Sequence, residues 1–148
     1  MLERLRQLLP ALWAGVLLCI AAITAPAAFA LLERADAGRL VGRFFAQEAW
    51  LSLVLAVLLL AIERGRAREA AATGQGSVLS GNMLLLLGTL FCTVAGYFAL
   101  QPMVATARAG QGGLSFGQLH LISAGFFSLK GLLVLVLAWR AARPAMTV

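Results

Sequence analysis

The polar side chains most able to do chemistry lie in the last apolar stretch, residues 116–139, which holds the single histidine and the single lysine of the chain. At about 100° per residue along a helix, His120, Ser123 and Lys130 fall within an arc of about 80°. An imidazole beside a hydroxyl could serve acid–base or nucleophilic chemistry, and a lysine within a membrane could serve a proton-coupled process. Alternatively, His120 and Ser123 bond to backbone or to neighbouring helices, while Lys130 extends towards the nearer headgroups.

No catalytic motif accompanies these groups. The sequence contains no HExxH, GxSxG or glycine-rich phosphate-binding pattern. Glu48, in another apolar segment, is the remaining candidate for acid–base work, and it is equally suited to an interfacial position facing headgroups. We therefore predict a non-enzymatic protein without a cofactor.

Two cysteines and the histidine offer an alternative function in soft-metal handling. If the first and third apolar segments run in the same direction, Cys19 and Cys92 lie at similar depth, each about 15 Å above the inner boundary. Thiolate and imidazole ligands suit Cu(I) better than hard cations. The sequence has no CxxC or MxxM pattern. Cys19, Cys92 and His120 are therefore only candidate ligands for copper-like binding or transport.

The composition indicates a small membrane protein with a single domain over residues 1–148. Of these residues 61% are hydrophobic and only 12% are charged, about half the charged fraction of a soluble domain. The basic residues are all arginine apart from Lys130, and no soluble module interleaves them with aromatic residues. They therefore indicate membrane topology and contact with lipid headgroups, and not nucleic-acid binding.

The fold class predicted is an all-α membrane protein. Four transmembrane helices form an antiparallel bundle, and a short amphipathic segment leads into helix 2. The predicted spans are residues 8–32, 44–62, 82–102 and 116–139. The capping-box spacing of Ser115 and Gln118 predicts that the last helix begins at Phe116. Pro26 is expected to kink or end the first helix, and Pro102 to end the third.

The first thirty residues also resemble a secretory signal. Arg4 and Arg6 precede an apolar run that ends in the A-x-A sequence of residues 28–30. The apolar run is long for a signal peptide, so we predict a retained first span. A mature protein that starts at Leu31 would support cleavage instead.

Small residues recur at helical spacing in three of the predicted helices. Such residues allow close approach of helices in membranes. They are Gly15 and Cys19 in the first helix, Gly38 and Gly42 in the second, and Gly88, Cys92 and Gly96 in the third. We therefore expect helix packing, with association into a homo-oligomer or a larger membrane complex.

The arginines favour an orientation in a bacterial-type inner membrane with both termini on the cytoplasmic side. Seven lie on the side of the termini, at positions 4, 6, 64, 66, 68, 140 and 143, and four lie on the other side, at positions 34, 39, 43 and 108. This orientation places Glu48, Arg108 and His120 near the outer face, with Arg39 above them. We expect these residues to form one intramembrane polar cluster with Ser123 and Lys130.

Several short marks occur in a characteristic order. They are Trp13-Ala-Gly15, Ala25-Pro26-x-x-Phe29, Ala37-Gly38-Arg39 with Gly42 and Phe45, Tyr97-Phe98 with Pro102, Arg108, and Phe116-x-x-Leu119-His120-x-x-Ser123. Together, from about Leu8 to Trp139, they resemble the small four-span membrane proteins of the domain of unknown function 4149, which are similar to transmembrane protein 205. The resemblance implies kinship with copper-resistance membrane proteins. Lys130 is not part of the pattern.

Overall fold

The chain forms four helices, and the computed structural model describes residues 2–74 and 77–142 of it. The helices are α1 (Leu2–Leu31), α2 (Arg34–Ala72), α3 (Gly81–Arg108) and α4 (Phe116–Ala142). Each is long and apolar enough to cross a membrane. The described residues contain no strand, so the prediction of an all-α, four-span fold is confirmed. Arg143, which entered the charge count, lies outside the described residues.

Short connections make the helices antiparallel neighbours. Only Leu32 and Glu33, both with extended ψ angles, separate α1 from α2. Each of α1 and α3 packs against both α2 and α4. The helices α2 and α4 therefore lie diagonally across the bundle, where long side chains bridge the distance between backbones.

The starts of α3 and α4 are set by local capping. The Ser115 hydroxyl accepts from the Gln118 backbone N–H at 3.3 Å, and the Gln118 side chain accepts from the Ser115 N–H at 2.9 Å. This reciprocal pair is the predicted capping box, and α4 begins at Phe116 as expected. Ser80 caps α3 in the same manner by accepting from the N–H of Met83 at 3.2 Å.

Two π-helical segments explain how α1 and α3 continue through proline. A proline clashes with the carbonyl four residues earlier and leaves it without a donor. For Pro26 and Pro102 those carbonyls belong to Ala22 and Phe98, which lie in the π-helical segments Ile20–Thr24 and Val94–Ala99. The hydrogen bonding shifts there by one residue, so the helix accommodates the ring. The expectation that Pro102 ends the third helix is wrong, because α3 continues to Arg108.

The amphipathic segment predicted before the second span is the start of α2 itself. At about 1.5 Å per residue, the 39 residues of α2 extend about 58 Å. That length exceeds a hydrocarbon core of about 30 Å, so α2 projects beyond it at both ends.

The core is apolar and draws side chains from all four helices. It consists of Trp13, Ala14, Leu17, Ala56, Leu59, Leu86, Val134 and Leu137. Many large apolar side chains face outward instead, among them Leu121 and Trp139. An apolar exterior around an apolar core is the arrangement that contact with lipid requires.

Candidate functional site

A buried ion pair joins the two diagonal helices. The Lys130 ammonium of α4 donates to both carboxylate oxygens of Glu48 on α2, at 2.7 and 2.8 Å. Each residue is only 3% exposed. Ten residues, or about 15 Å, separate Lys130 from both His120 and Arg140 along α4. The pair thus places opposite charges deep in the bundle, where an unpaired ion would be very costly.

Two further side chains extend the pair to α1. The Ser52 hydroxyl, one turn after Glu48, donates to Oε1 of that carboxylate. The indole N–H of Trp13 in turn donates to the Ser52 oxygen at 2.9 Å. Trp13 and Ser52 are almost completely buried. The chain Trp13–Ser52–Glu48–Lys130 therefore connects three helices and gives each of its buried polar groups a partner.

Aromatic rings cover the ion pair. The Lys130 ammonium lies 5.1 Å from the centroid of the Phe127 ring, within range of a cation–π interaction. Phe45 meets Phe127 edge to face, with centroids 5.1 Å apart. Chemically, this is a desolvated charge pair in an apolar setting. The arrangement suits a fixed internal link between helices.

The polar cluster predicted from the sequence does not form as one group. His120 is exposed and stacks on Phe116, with centroids 6.0 Å apart. The exposed Arg108 guanidinium lies over the same ring, at 5.1 Å. Ten residues of α4 separate His120 from Lys130, so a shared face does not bring them together. The two groups belong to different depths of the bundle.

The other two members of the predicted cluster also have local partners. The Ser123 hydroxyl donates to the backbone carbonyl of Gly96 at 3.0 Å. This bond agrees with the alternative prediction that Ser123 bonds to backbone. Arg39 is exposed and pairs with Asp36, three residues earlier in α2. Neither residue contributes to the Glu48–Lys130 pair.

The candidate metal ligands are not brought together. Cys19 is exposed, whereas Cys92 is buried, and His120 lies on the outer surface beside Phe116. Across residues 2–74 and 77–142, no group of three or more His, Cys, Asp or Glu side chains could hold a metal ion. The soft-metal alternative has no donor cluster in this part of the chain to support it.

A second polar network lies where α1, α2 and α3 meet near the termini, and the sequence analysis missed it. Glu63 is buried and accepts from the Asn82 amide at 3.3 Å and from Arg6 at 3.5 Å. Glu3 pairs with Arg6 and with Arg66. Glu63 lies one residue beyond the predicted span 44–62. Its position eleven residues after Ser52, on the same face of α2, could have indicated burial.

The small residues divide into two groups by environment. A Cβ on Gly96 would overlap the Cβ of Phe126, and one on Gly88 would lie 3.0 Å from Leu133. These two glycines therefore allow α4 to approach α3 closely. Cys92, which lies midway between them in the sequence, is also buried. By contrast, among the described residues nothing lies within 4 Å of a Cβ built on Gly15, Gly38 or Gly42. These three do not mediate a close helix contact within the chain.

Comparison with known proteins places most of the chain in one family. The family model described as "Domain of unknown function (DUF4149)" matches residues 8–112. The match covers α1 from Leu8 onward, α2 with Glu48, and α3, whereas the whole of α4 with Lys130 lies beyond it. No curated protein and no solved structure matches the chain. Because the family model covers well over half of the residues, the protein belongs to the DUF4149 family, whose function is unknown.

Proposed function

We propose that the protein is a non-enzymatic component of a bacterial-type inner membrane, an accessory protein or subunit that associates with other chains through its helices. The observation that carries this proposal is the open space around Gly15, Gly38 and Gly42. These glycines interrupt long helices without serving the packing of their own bundle.

The physical argument rests on the cost and the use of glycine. A glycine inside a helix is destabilising by roughly 0.5–1 kcal/mol relative to alanine. In a membrane, that cost is offset where the missing side chain lets another helix approach closely. Gly96 has this use within the chain, since it lies against Phe126. Gly42 is exposed and has no such neighbour, which supports contact with a helix of another chain.

The buried charges support a structural rather than a catalytic role. Glu48 and Lys130 neutralise each other, and Ser52 adds a third bond to the carboxylate. A carboxylate and an ammonium held in this way are not free to activate a substrate. The pair acts as an internal brace across the bundle, while the outer surface carries the association.

Association can be tested by counting chains in the native membrane. The protein, fused to a single fluorophore and extracted into native nanodiscs, is analysed by photobleaching and by particle mass. We expect more than one chain, or a stable excess of protein mass, in most particles. Gly42→Leu should shift the population towards single chains, whereas Val57→Leu, a substitution on an outward position of the same helix, should not. A strictly monomeric, partner-free protein would overturn the proposal.

The orientation is tested separately. A reporter protein that is active only in the cytoplasm is fused to the C-terminus. We expect the fusion to be active, because the arginine excess lies on the side of the termini. A periplasmic signal would refute the orientation without affecting the association.

A further inference from the structure

One face of α2 is exposed from Trp50 to Arg68. Trp50, Val54 and Val57 are each about 60% exposed, and Ala61 continues the same line. At about 100° per residue, these four positions together with Arg64 and Arg68 fall within an arc of about 80°. We call these six residues the α2 stripe. Its apolar part faces outward, and its last two members are arginines, both exposed.

The spacing of charges along this face matches the thickness of a membrane. Arg43 is also exposed and lies on the same arc. The 21 residues from Arg43 to Arg64 correspond to about 32 Å of helix, close to a hydrocarbon core of about 30 Å. Arg43 and Arg64 therefore lie at opposite membrane surfaces. Arg64 and Arg68 therefore lie at the level of the headgroup of any lipid whose acyl chains lie on Val57 and Ala61.

These two arginines differ from Arg66 and Arg6, at the same end of the bundle, in having no carboxylate partner. Arg66 pairs with Glu3, and Arg6 pairs with Glu3 and Glu63. No salt bridge joins Arg64 or Arg68 to a carboxylate in the described parts of the chain. A guanidinium binds phosphate oxygens through two parallel N–H bonds. Two unpaired guanidinium groups, one helical turn apart at headgroup level, thus present charge complementary to phosphate.

We propose that the α2 stripe binds an anionic glycerophospholipid, with its phosphate on Arg64 and Arg68 and an acyl chain along Ala61 and Val57. The apolar part of the site accepts any lipid chain, so the arginines supply the preference for an anionic headgroup. A zwitterionic lipid brings its own cation to the same place and loses part of this attraction. The site requires neither the association nor the orientation proposed above.

The test is a lipid titration of the purified full-length protein by native mass spectrometry, with phosphatidylglycerol and phosphatidylcholine of identical chains. The unaltered protein is expected to bind phosphatidylglycerol more tightly. Arg64→Gln combined with Arg68→Gln should weaken that binding by about tenfold or more while weakening phosphatidylcholine binding much less. Arg64→Lys with Arg68→Lys keeps the charge without the planar fork and should give an intermediate loss.

The matched control is Arg66→Gln, compared with the single variants Arg64→Gln and Arg68→Gln. It removes one charge from the same projecting segment, but Arg66 points away from the α2 stripe and towards Glu3. We expect it to leave the lipid preference unchanged. Equal losses in all three single variants would show that only net charge matters and would overturn the site. Equal affinity of the unaltered protein for the two lipids would do the same, and the lysine variant tests the site if the glutamine variant does not fold.

Discussion

Removal of one partner from the Glu48–Lys130 pair should destabilise the bundle strongly. Glu48→Gln keeps the shape of the side chain but leaves the Lys130 ammonium, which is 3% exposed, without a counter-charge. Breaking a buried ion pair in this way costs about 3–5 kcal/mol in proteins of known stability. Lys130→Met should cost a similar amount, because it leaves a carboxylate held only by Ser52.

The double variant separates an ion pair from two independent polar contacts. Replacing both partners by groups of similar volume removes the uncompensated charge, and such replacements are often neutral or stabilising. Glu48→Gln with Lys130→Met should therefore be more stable than either single variant. We expect a coupling free energy of at least about 2 kcal/mol between the two sites, whereas sites that act independently are additive within about 0.5 kcal/mol.

The free energy of unfolding can be measured by steric trapping or by titration with a denaturing detergent in mixed micelles. Glu69→Gln is the control, since it removes a carboxylate from the exposed end of the same helix and should change stability by less than about 0.5 kcal/mol. The reasoning is refuted if each single variant costs less than about 1 kcal/mol, or if the two losses simply add.

Two further substitutions test the contacts around the pair. Gly96→Ala should lower the free energy of unfolding by about 1–3 kcal/mol, because the new methyl group would overlap Phe126. Thermal unfolding in detergent measures this, with Gly125→Ala as the control, since a Cβ on Gly125 meets no neighbour within 4 Å in the described residues. Equal midpoints of unfolding for the two variants would contradict the close contact. Ser52→Ala should cost about 1–3 kcal/mol, since the Trp13 indole N–H loses its acceptor. Unchanged stability in this variant would show that the bond is not formed.

Features that depend on neighbouring residues could be predicted from the sequence. The Ser115–Gln118 capping box involves residues three apart, and the structure confirms both bonds and the start of α4 at Phe116. The small-residue pattern of Gly88 and Gly96 likewise indicated a packing face correctly. The same pattern in Gly38 and Gly42 has no close neighbour among residues 2–74 and 77–142. Spacing alone does not specify whether a face meets its own bundle or the exterior.

The angular position of a residue around its helix could be predicted from the sequence, whereas its partner on another helix could not. The apolar segments and their helical period determined four spans and left two positions for Lys130, inside the bundle or extended towards the headgroups, since a charge in hydrocarbon is too costly. The structure shows it inside the bundle. Glu48 lies 82 residues before it. Their pairing depends on the lengths, the connections and the axial offset of all four helices. Only the tertiary structure decided that offset, because it follows from packing of the whole core, and with it the choice of Glu48 for Lys130 and of the Gly96 carbonyl for Ser123.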